Sequence, residues 1–272
     1  MKLYSDGIRY HLTLHQSKKN LPVLLMMHGF MGSEEAFSHL IEPLCRFCNP
    51  LTIDLAGHGQ SQTPPDPELF KTRRQVEQLR SVLSRFQFDH LFAYGYSMGG
   101  RLLLQLAFRH PELFRGVIIE SAQCGIEDEN KRKQRTEADE QRAAEIESGF
   151  EGFISRWLEL PLFEHTPDDE KKSYRELMLK QDPGLMVLSL RGFGAGVMPA
   201  VCEGLHQLHL PLYLVAGQLD DKYVSVMTRM SGLCNDCDLQ IVEGAGHRVH
   251  ADSPGQLTEI LKTFIETHHH HV

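Results

Sequence analysis

Three residues of the kinds that together activate a hydroxyl lie far apart in this chain, each close to glycine. They are Ser97 in GYSMG (Gly95 to Gly99), Asp220 in GQLDDKY (Gly217 to Tyr223) and His247 in GAGHRVH (Gly244 to His250). A serine hydroxyl is a weak nucleophile and a weak base until an imidazole can take its proton, and the imidazole needs a carboxylate to fix its tautomer. Ser97 stands in G-x-S-x-G, with an apolar run before it and a helical pattern after it. In that context small residues let the chain turn sharply enough to leave the oxygen clear. With sixteen histidines in the chain, place rather than residue type singles out His247. Asp220 is preferred as the acid over Asp221 and the more distant Glu120, because it falls just past the apolar run LYLVAG. The amides of Phe30, in MHGFMGS (Met27 to Ser33), and of Met98 are the expected oxyanion donors. Asp54, in DLAGHGQS, is expected to shape a turn beside them.

To meet, these residues need strands that end together. Continuous apolar runs at Val23 to His28, Leu51 to Asp54, Leu91 to Gly95, Gly116 to Glu120, Leu212 to Gly217 and Leu239 to Gly244 alternate with helical patterns. The helices are expected over Glu34 to Arg46, Glu68 to Phe86, Met98 to Arg109 and Gly255 to Glu266. This rhythm predicts an α/β class with a mostly parallel central sheet flanked by helices. Ile8 to His15 alternates and is expected to be an antiparallel edge strand. From Glu127 to Glu147, thirteen of twenty-one residues are charged and hardly any apolar stripe remains. That shift marks an inserted helical cap over 122–196, between core segments 1–121 and 197–267. Residues 268–272, with the run His268 to His271, read as a disordered tail or tag remnant.

Composition narrows the partners. The chain has 272 residues, 41% hydrophobic and 24% charged, with net charge −8. Nucleic-acid binding would leave a basic footprint instead. The first residues lack the apolar stretch of a secretory signal, and no apolar run could span a bilayer, so a cytoplasmic protein without membrane insertion is expected. The six cysteines include the pairs Cys45/Cys48 and Cys234/Cys237. The pairs lie far apart in sequence, so all six are expected to be reduced structural thiols and no metal site is expected.

The elbow, the HGF turn, DLAGHGQS and the aspartate and histidine loops together resemble the α/β-hydrolase family over nearly the whole chain. GYSMGGR (Gly95 to Arg101), RWLELPLF (Arg156 to Phe163), SLRGFGAG (Ser189 to Gly196) and EGAGHRVH (Glu243 to His250) resemble one branch of it. That branch is the MenH family, the 2-succinyl-6-hydroxy-2,4-cyclohexadiene-1-carboxylate synthases of menaquinone biosynthesis. The resemblance implies elimination of pyruvate from a cyclohexene bearing three carboxylates, with no cofactor and no metal. It implies Ser97, Asp220 and His247 as the triad, and Tyr96 and Arg101 as pocket residues beside the serine. In the cap it implies Arg135 as a substrate-contacting arginine and Trp157 as a pocket tryptophan. The family's other cap arginine falls at Lys180, with Arg175 as the alternative. A lysine there keeps the charge but loses the planar fork. An arginine one turn behind the nucleophile would burden an enzyme for neutral esters, and suits a small-molecule carboxylate that it can hold by charge-assisted bonds. A serine hydrolase of esters, thioesters or C–C bonds working through an acyl-enzyme is the alternative reading. A noncatalytic ligand-binding protein is a third. Oligomeric state stays open.

Overall fold

The structure, a computed structural model, describes residues 1–86, 88 and 91–269. The apolar runs form strands β1 (Lys2–Ser5), β2 (Ile8–Leu14), β3 (Val23–Met27), β4 (Asn49–Asp54), β5 (Leu91–Tyr96), β6 (Gly116–Glu120), β7 (Leu212–Gly217) and β8 (Cys237–Val242). They make one sheet in the order β1-β2-β4-β3-β5-β6-β7-β8. The β1–β2 and β2–β4 pairs are antiparallel and every other pair is parallel. β4, β5 and β6 are buried at every residue, which is why their sequences are continuously apolar. β2 alternates and runs antiparallel as expected, but it is not the edge. Lys2–Ser5 pairs along its outer side, and four mostly exposed residues carry too little pattern to announce a strand.

The helices are α1 (Ser38–Leu44), α2 (Thr72–Leu83), α3 (Met98–Arg109), α4 (Glu129–Ser148), α5 (Phe150–Trp157), α6 (Asp168–Leu179), α7 (Pro183–Phe193), α8 (Asp221–Ser231), α9 (Val249–Asp252) and α10 (Pro254–His269). Two expected helices start late. Glu34–Phe37 and Pro67–Phe70 are 3₁₀ turns, and Lys71, in extended backbone, separates the second from α2. Leu40 and Leu44 of α1 and Leu257, Leu261 and Phe264 of α10 pack on one face of the sheet with Leu24, Phe92 and Ile118. Val76 and Leu79 of α2, Leu103 of α3, and Met227 and Met230 of α8 pack on the other, with Leu25, Ala93 and Ile119.

Between β6 and β7 the chain leaves the sheet and builds α4 to α7 around a small core of its own. Ala143, Ile146, Phe153, Leu158, Met178 and Leu190 meet there, joined by Met31 from the loop after β3. The charged helix α4 buries only Asp139, Ala143 and Ile146, which accounts for its missing apolar stripe. Asp128 caps it by accepting from Lys131 N at 2.8 Å.

Two expectations are corrected. Cys124 and Cys202 are not reduced thiols: they form a disulfide across 78 residues of sequence. Beside it the Val201 amide donates to the Cys124 carbonyl at 2.9 Å, so the segments that leave and rejoin the sheet are tied together. Neither residue belongs to a CxxC pair, and only the adjacency of β6 and β7 brings them close. The other four cysteines are free. His268 and His269 are also not a disordered tail. They complete α10, and the His268 ring packs 4.7 Å from that of Phe264. Residues 270–272 lie outside the described residues. Among the described residues, no cluster of His, Cys, Asp and Glu could hold a metal, and no helix is long and apolar enough to cross a membrane.

Candidate active site

β5 delivers Ser97 to the carboxyl edge of the sheet, and α3 begins at the next residue. Ser97 has φ 50° and ψ −108°, a strained conformation for a residue with a side chain. The turn needs its glycines: a Cβ on Gly99 would lie 2.3 Å from the Met27 carbonyl oxygen, and one on Gly95 2.8 Å from Gly100 Cα. The Ser97 amide donates to the Glu120 carbonyl at 2.9 Å, which fastens the elbow to β6. Met98 N is the first amide of α3 and has no acceptor within the helix. Neither it nor the amide of Phe30 donates to a backbone carbonyl among the turn and loop bonds of the described residues, and both residues line the same cavity as Ser97. His28 and Asp54 shape the neighbouring loops. His28 Nε2 accepts from Leu55 N at 3.1 Å, and burial holds its pKa down to about 4, so it stays a neutral brace. Asp54 accepts from the Glu34 and Gln60 amides, both at 2.7 Å.

Asp220 follows β7 and caps α8, accepting from Tyr223 N at 3.1 Å. Its other oxygen lies 2.6 Å from His247 Nδ1. His247 Nε2 in turn lies 3.4 Å from Ser97 Oγ, a distance that suits an unliganded site. Burial alone would raise the Asp220 carboxyl. The hydrogen bond and charge of His247, the Tyr223 amide and the Lys222 charge outweigh it and hold the group below the usual carboxylate range. Asp221 begins α8 and is exposed. Glu120 is engaged elsewhere, with His250.

The Ser97 Oγ faces a cavity of about 470 Å³ under α4 to α7, lined also by Tyr96, Arg101, Arg135, Arg142, Trp157 and Lys222. Arg101 stands four residues after Ser97, on the same face of α3. Its guanidinium donates to the Phe193 carbonyl at 3.0 Å and lies 4.9 Å from the Phe193 ring. Among the described residues it forms no ion pair. Burial, and then the charge of Arg135, push its pKa down to about 10. Arg135 Nε holds both oxygens of Asp139 at 2.9 and 3.0 Å, and Arg142 reaches the same carboxylate at 2.7 Å. Arg142 also lies over Trp157, 5.6 Å from the ring, and Trp157 packs edge-on to Phe30. Desolvation and Arg135 lower the Lys222 pKa, with Arg142 adding to them and Asp220 opposing.

The structure thus brings Ser97, Asp220, His247, Phe30, Met98, Tyr96, Arg101, Arg135 and Trp157 to one cavity. It does not bring Lys180. That residue ends α6 and pairs at the surface with Glu35 at 2.7 Å. Arg175 pairs with Glu151, also outside the cavity lining. The cations that the sequence reading missed are Arg142 and Lys222. Both had a signal: Arg135, Asp139 and Arg142 are spaced i, i+4, i+7 along one helix face, and Lys222 follows the acid by two residues. Four cations thus surround the Ser97 hydroxyl; Asp220 and the exposed Asp221 and Glu164 also line the cavity, and Asp139 lies behind Arg135 and Arg142, so the cationic wall suits an anion.

The alpha/beta hydrolase family is matched over residues 23–260. The solved structure of MenH from S. aureus aligns with a TM-score of 0.90 and 28% identity, covering 96% of this chain and 98% of that one. A Bacillus subtilis (strain 168) protein provisionally named 2-succinyl-6-hydroxy-2,4-cyclohexadiene-1-carboxylate synthase is 28% identical over 96% of each chain. The synthase of that name from Enterobacter sp. (strain 638) is 26% identical over 90% of this chain and 92% of its own length.

Proposed function

This chain belongs to the alpha/beta hydrolase family, and because that fold hosts many reactions we propose its reaction from the site: it is a 2-succinyl-6-hydroxy-2,4-cyclohexadiene-1-carboxylate synthase. On this reading it is a cytoplasmic lyase of menaquinone biosynthesis that eliminates pyruvate from a cyclohexene tricarboxylate, without a cofactor. One observation carries the choice. Among the described residues Arg101 has no carboxylate partner, and it lies in the cavity of Ser97 beside Arg135, Arg142 and Lys222. Leaving the buried Arg101 charge uncompensated is unfavourable, and a substrate carboxylate supplies the missing partner, while Arg135, Arg142 and Lys222 line the same cavity to meet further carboxylates. The named relatives and the S. aureus structure support the same reading.

The mechanism follows from the distances. Asp220 holds His247 with Nδ1–H toward the carboxylate, which leaves Nε2 free to accept the Ser97 proton. Ser97, made basic in this way, removes a ring proton from the substrate. The electron pair moves through the ring and expels the enolpyruvyl oxygen, and the released enol becomes pyruvate. Negative charge that builds on the neighbouring carbonyl oxygen is met by the Phe30 amide, from the loop after β3, and by the Met98 amide at the positive end of α3. Arg101, Arg135, Arg142 and Lys222 hold the carboxylates, while Tyr96 and Trp157 supply the ring-sized walls. General-base catalysis of this kind contributes on the order of 10²–10⁴-fold.

The test is to mix purified protein with the enolpyruvyl cyclohexene tricarboxylate and follow pyruvate with lactate dehydrogenase. Pyruvate release that depends on Ser97 supports the lyase. No release, together with rapid hydrolysis of short nitrophenyl esters, would replace it with the acyl-enzyme hydrolase. Neither activity would leave a ligand-binding protein.

A further inference from the structure

Beneath the elbow lies a second chain of carboxylate, imidazole and hydroxyl that the proposed reaction does not use. Glu120, at the end of β6, and His250, on α9, are both fully buried. His250 Nδ1 lies 2.8 Å from Glu120 Oε1, and His250 Nε2 lies 3.1 Å from the Tyr174 hydroxyl on α6. Tyr94 donates to the other Glu120 oxygen. The connectivity repeats that of Asp220, His247 and Ser97, with a tyrosine of the cap in the serine's place.

We infer that Tyr174, His250 and Glu120 form a positioning relay that locks the loop carrying His247, the elbow carrying Ser97 and the cap into one geometry. Each bond joins segments that are distant in sequence. Glu120 holds the elbow through its backbone, which accepts the Ser97 amide, and the histidine loop through its carboxylate. His250 stands three residues beyond His247. The Tyr96 ring lies between the two imidazoles, with its centroid 4.4 Å from His250 and 5.6 Å from His247. Tyr174 extends the tie to the cap, and the Arg248 guanidinium lies 3.2 Å from its ring centroid. His39 of α1 donates to the His250 carbonyl at 2.6 Å, and Asp252 accepts from Gly246 N at 2.8 Å, so the loop is held from both ends.

The polarity is fixed. Burial lowers the His250 pKa despite Glu120, so the imidazole is neutral, donates from Nδ1 and accepts at Nε2 from Tyr174. Buried networks of this kind are rigid when every member is satisfied. The relay matters because Ser97 and His247 sit on different loops with 3.4 Å between their reacting atoms. A shift of about 1 Å at such a pair can cost roughly 10²-fold.

This inference rests on Ser97 being the activated hydroxyl and not on which reaction it serves, so the readout is the rate at which phenylmethylsulfonyl fluoride modifies Ser97, followed by mass spectrometry. His250→Gln and Glu120→Gln should slow that rate about 10- to 100-fold, and Tyr174→Phe roughly 3- to 10-fold, the worth of one hydrogen bond. Because the hydroxyl acts through the imidazole, Tyr174→Phe added to His250→Gln should cost nothing more. A folded His250→Gln protein labelled at the wild-type rate overturns the relay. Should His250→Gln not fold, Tyr174→Phe decides, and an unchanged rate there overturns it equally. A wild-type Ser97 that resists the probe counts instead against activation of Ser97, the premise shared with the proposed function.

Discussion

At the scale of single residues, the strain at Ser97 and the short contact from Asp220 to His247 make sense only if they act together. Ser97→Ala and His247→Ala should each cut pyruvate release by roughly 10³-fold or more, and the double variant should be scarcely worse than either. Near-additive losses would show that they serve different steps. Asp220→Asn should be severe because it favours the wrong His247 tautomer, whereas Asp221→Asn, on the exposed first turn of α8, should be mild. Arg101 makes a sharper demand. Arg101→Ala should lower kcat/KM for the tricarboxylate by roughly 10²-fold, the loss of one partner of a desolvated charge pair. Arg101→Lys should recover only part of that, and hydrolysis of a small neutral ester should be spared. Equal losses on both substrates would remove the carboxylate-anchor role. The pH dependence follows from the same charges. Burial and Arg135 hold Lys222 below the usual lysine range, so raising the pH neutralises a cation that the anion needs, whereas the Arg101 guanidinium keeps its charge. KM for the tricarboxylate should therefore rise as the pH climbs into that lowered lysine range. Lys222→Arg should abolish that rise, and a KM flat with pH in the wild type would argue against the Lys222 contact.

At the scale of elements, α4 shows how a polar helix can be specified without an apolar stripe. Asp139, whose side chain is only 5% exposed, holds Arg135 and Arg142 from one helix face and so sets two guanidinium groups at once. Asp139→Asn should leave α4 folded while raising KM for the tricarboxylate by roughly tenfold, since charge-assisted bonds are about twice as strong as neutral ones, and kcat should fall much less. A loss confined to kcat would mean that Asp139 does not position substrate-binding groups. This arrangement was legible in part. The family resemblance points to Arg135, while nothing in the charge-rich run sets apart its partners at i+4 and i+7. The sheet, and the groups that it brings within hydrogen-bond reach of Ser97, were legible for a common reason: each sits in a glycine turn after an apolar run. Lys180 lies apart from the cavity because its direction depends on how the end of α6 docks, and there it pairs with Glu35 at the surface. Sequence spacing carries no information on docking of that kind. Glu120 and His250 were hidden similarly, since 130 residues separate two groups that meet only because β6 ends beneath α9.

At the scale of the whole molecule, the disulfide decides how tightly the cap is fastened to the sheet. Cys124 lies just past β6 and Cys202 just before β7, so the bond closes the excursion that contains α4 to α7. Closing a loop of that size restricts the unfolded chain and is worth about 2–4 kcal/mol. In a reducing compartment such a bond is drawn toward two thiols, so the oxidised and reduced proteins should differ in stability. The oxidised form should have the higher urea midpoint, and tris(2-carboxyethyl)phosphine should bring it to that of Cys124→Ser/Cys202→Ser, which should not respond to reductant. Activity should behave differently. The cap is also held to the core by the pairing of Val201 with Cys124, by the Tyr174 hydroxyl with His250 at 3.1 Å, by Gln181 accepting from Gly59 N at 3.0 Å, and by Lys180 with Glu35. None of these depends on sulfur, so kcat/KM should stay nearly unchanged on reduction. A loss of turnover that tracks reduction while the fold persists would show instead that the bridge sets the distance from Arg135 and Arg142 to Ser97, making the disulfide part of the site rather than a fastening of the fold.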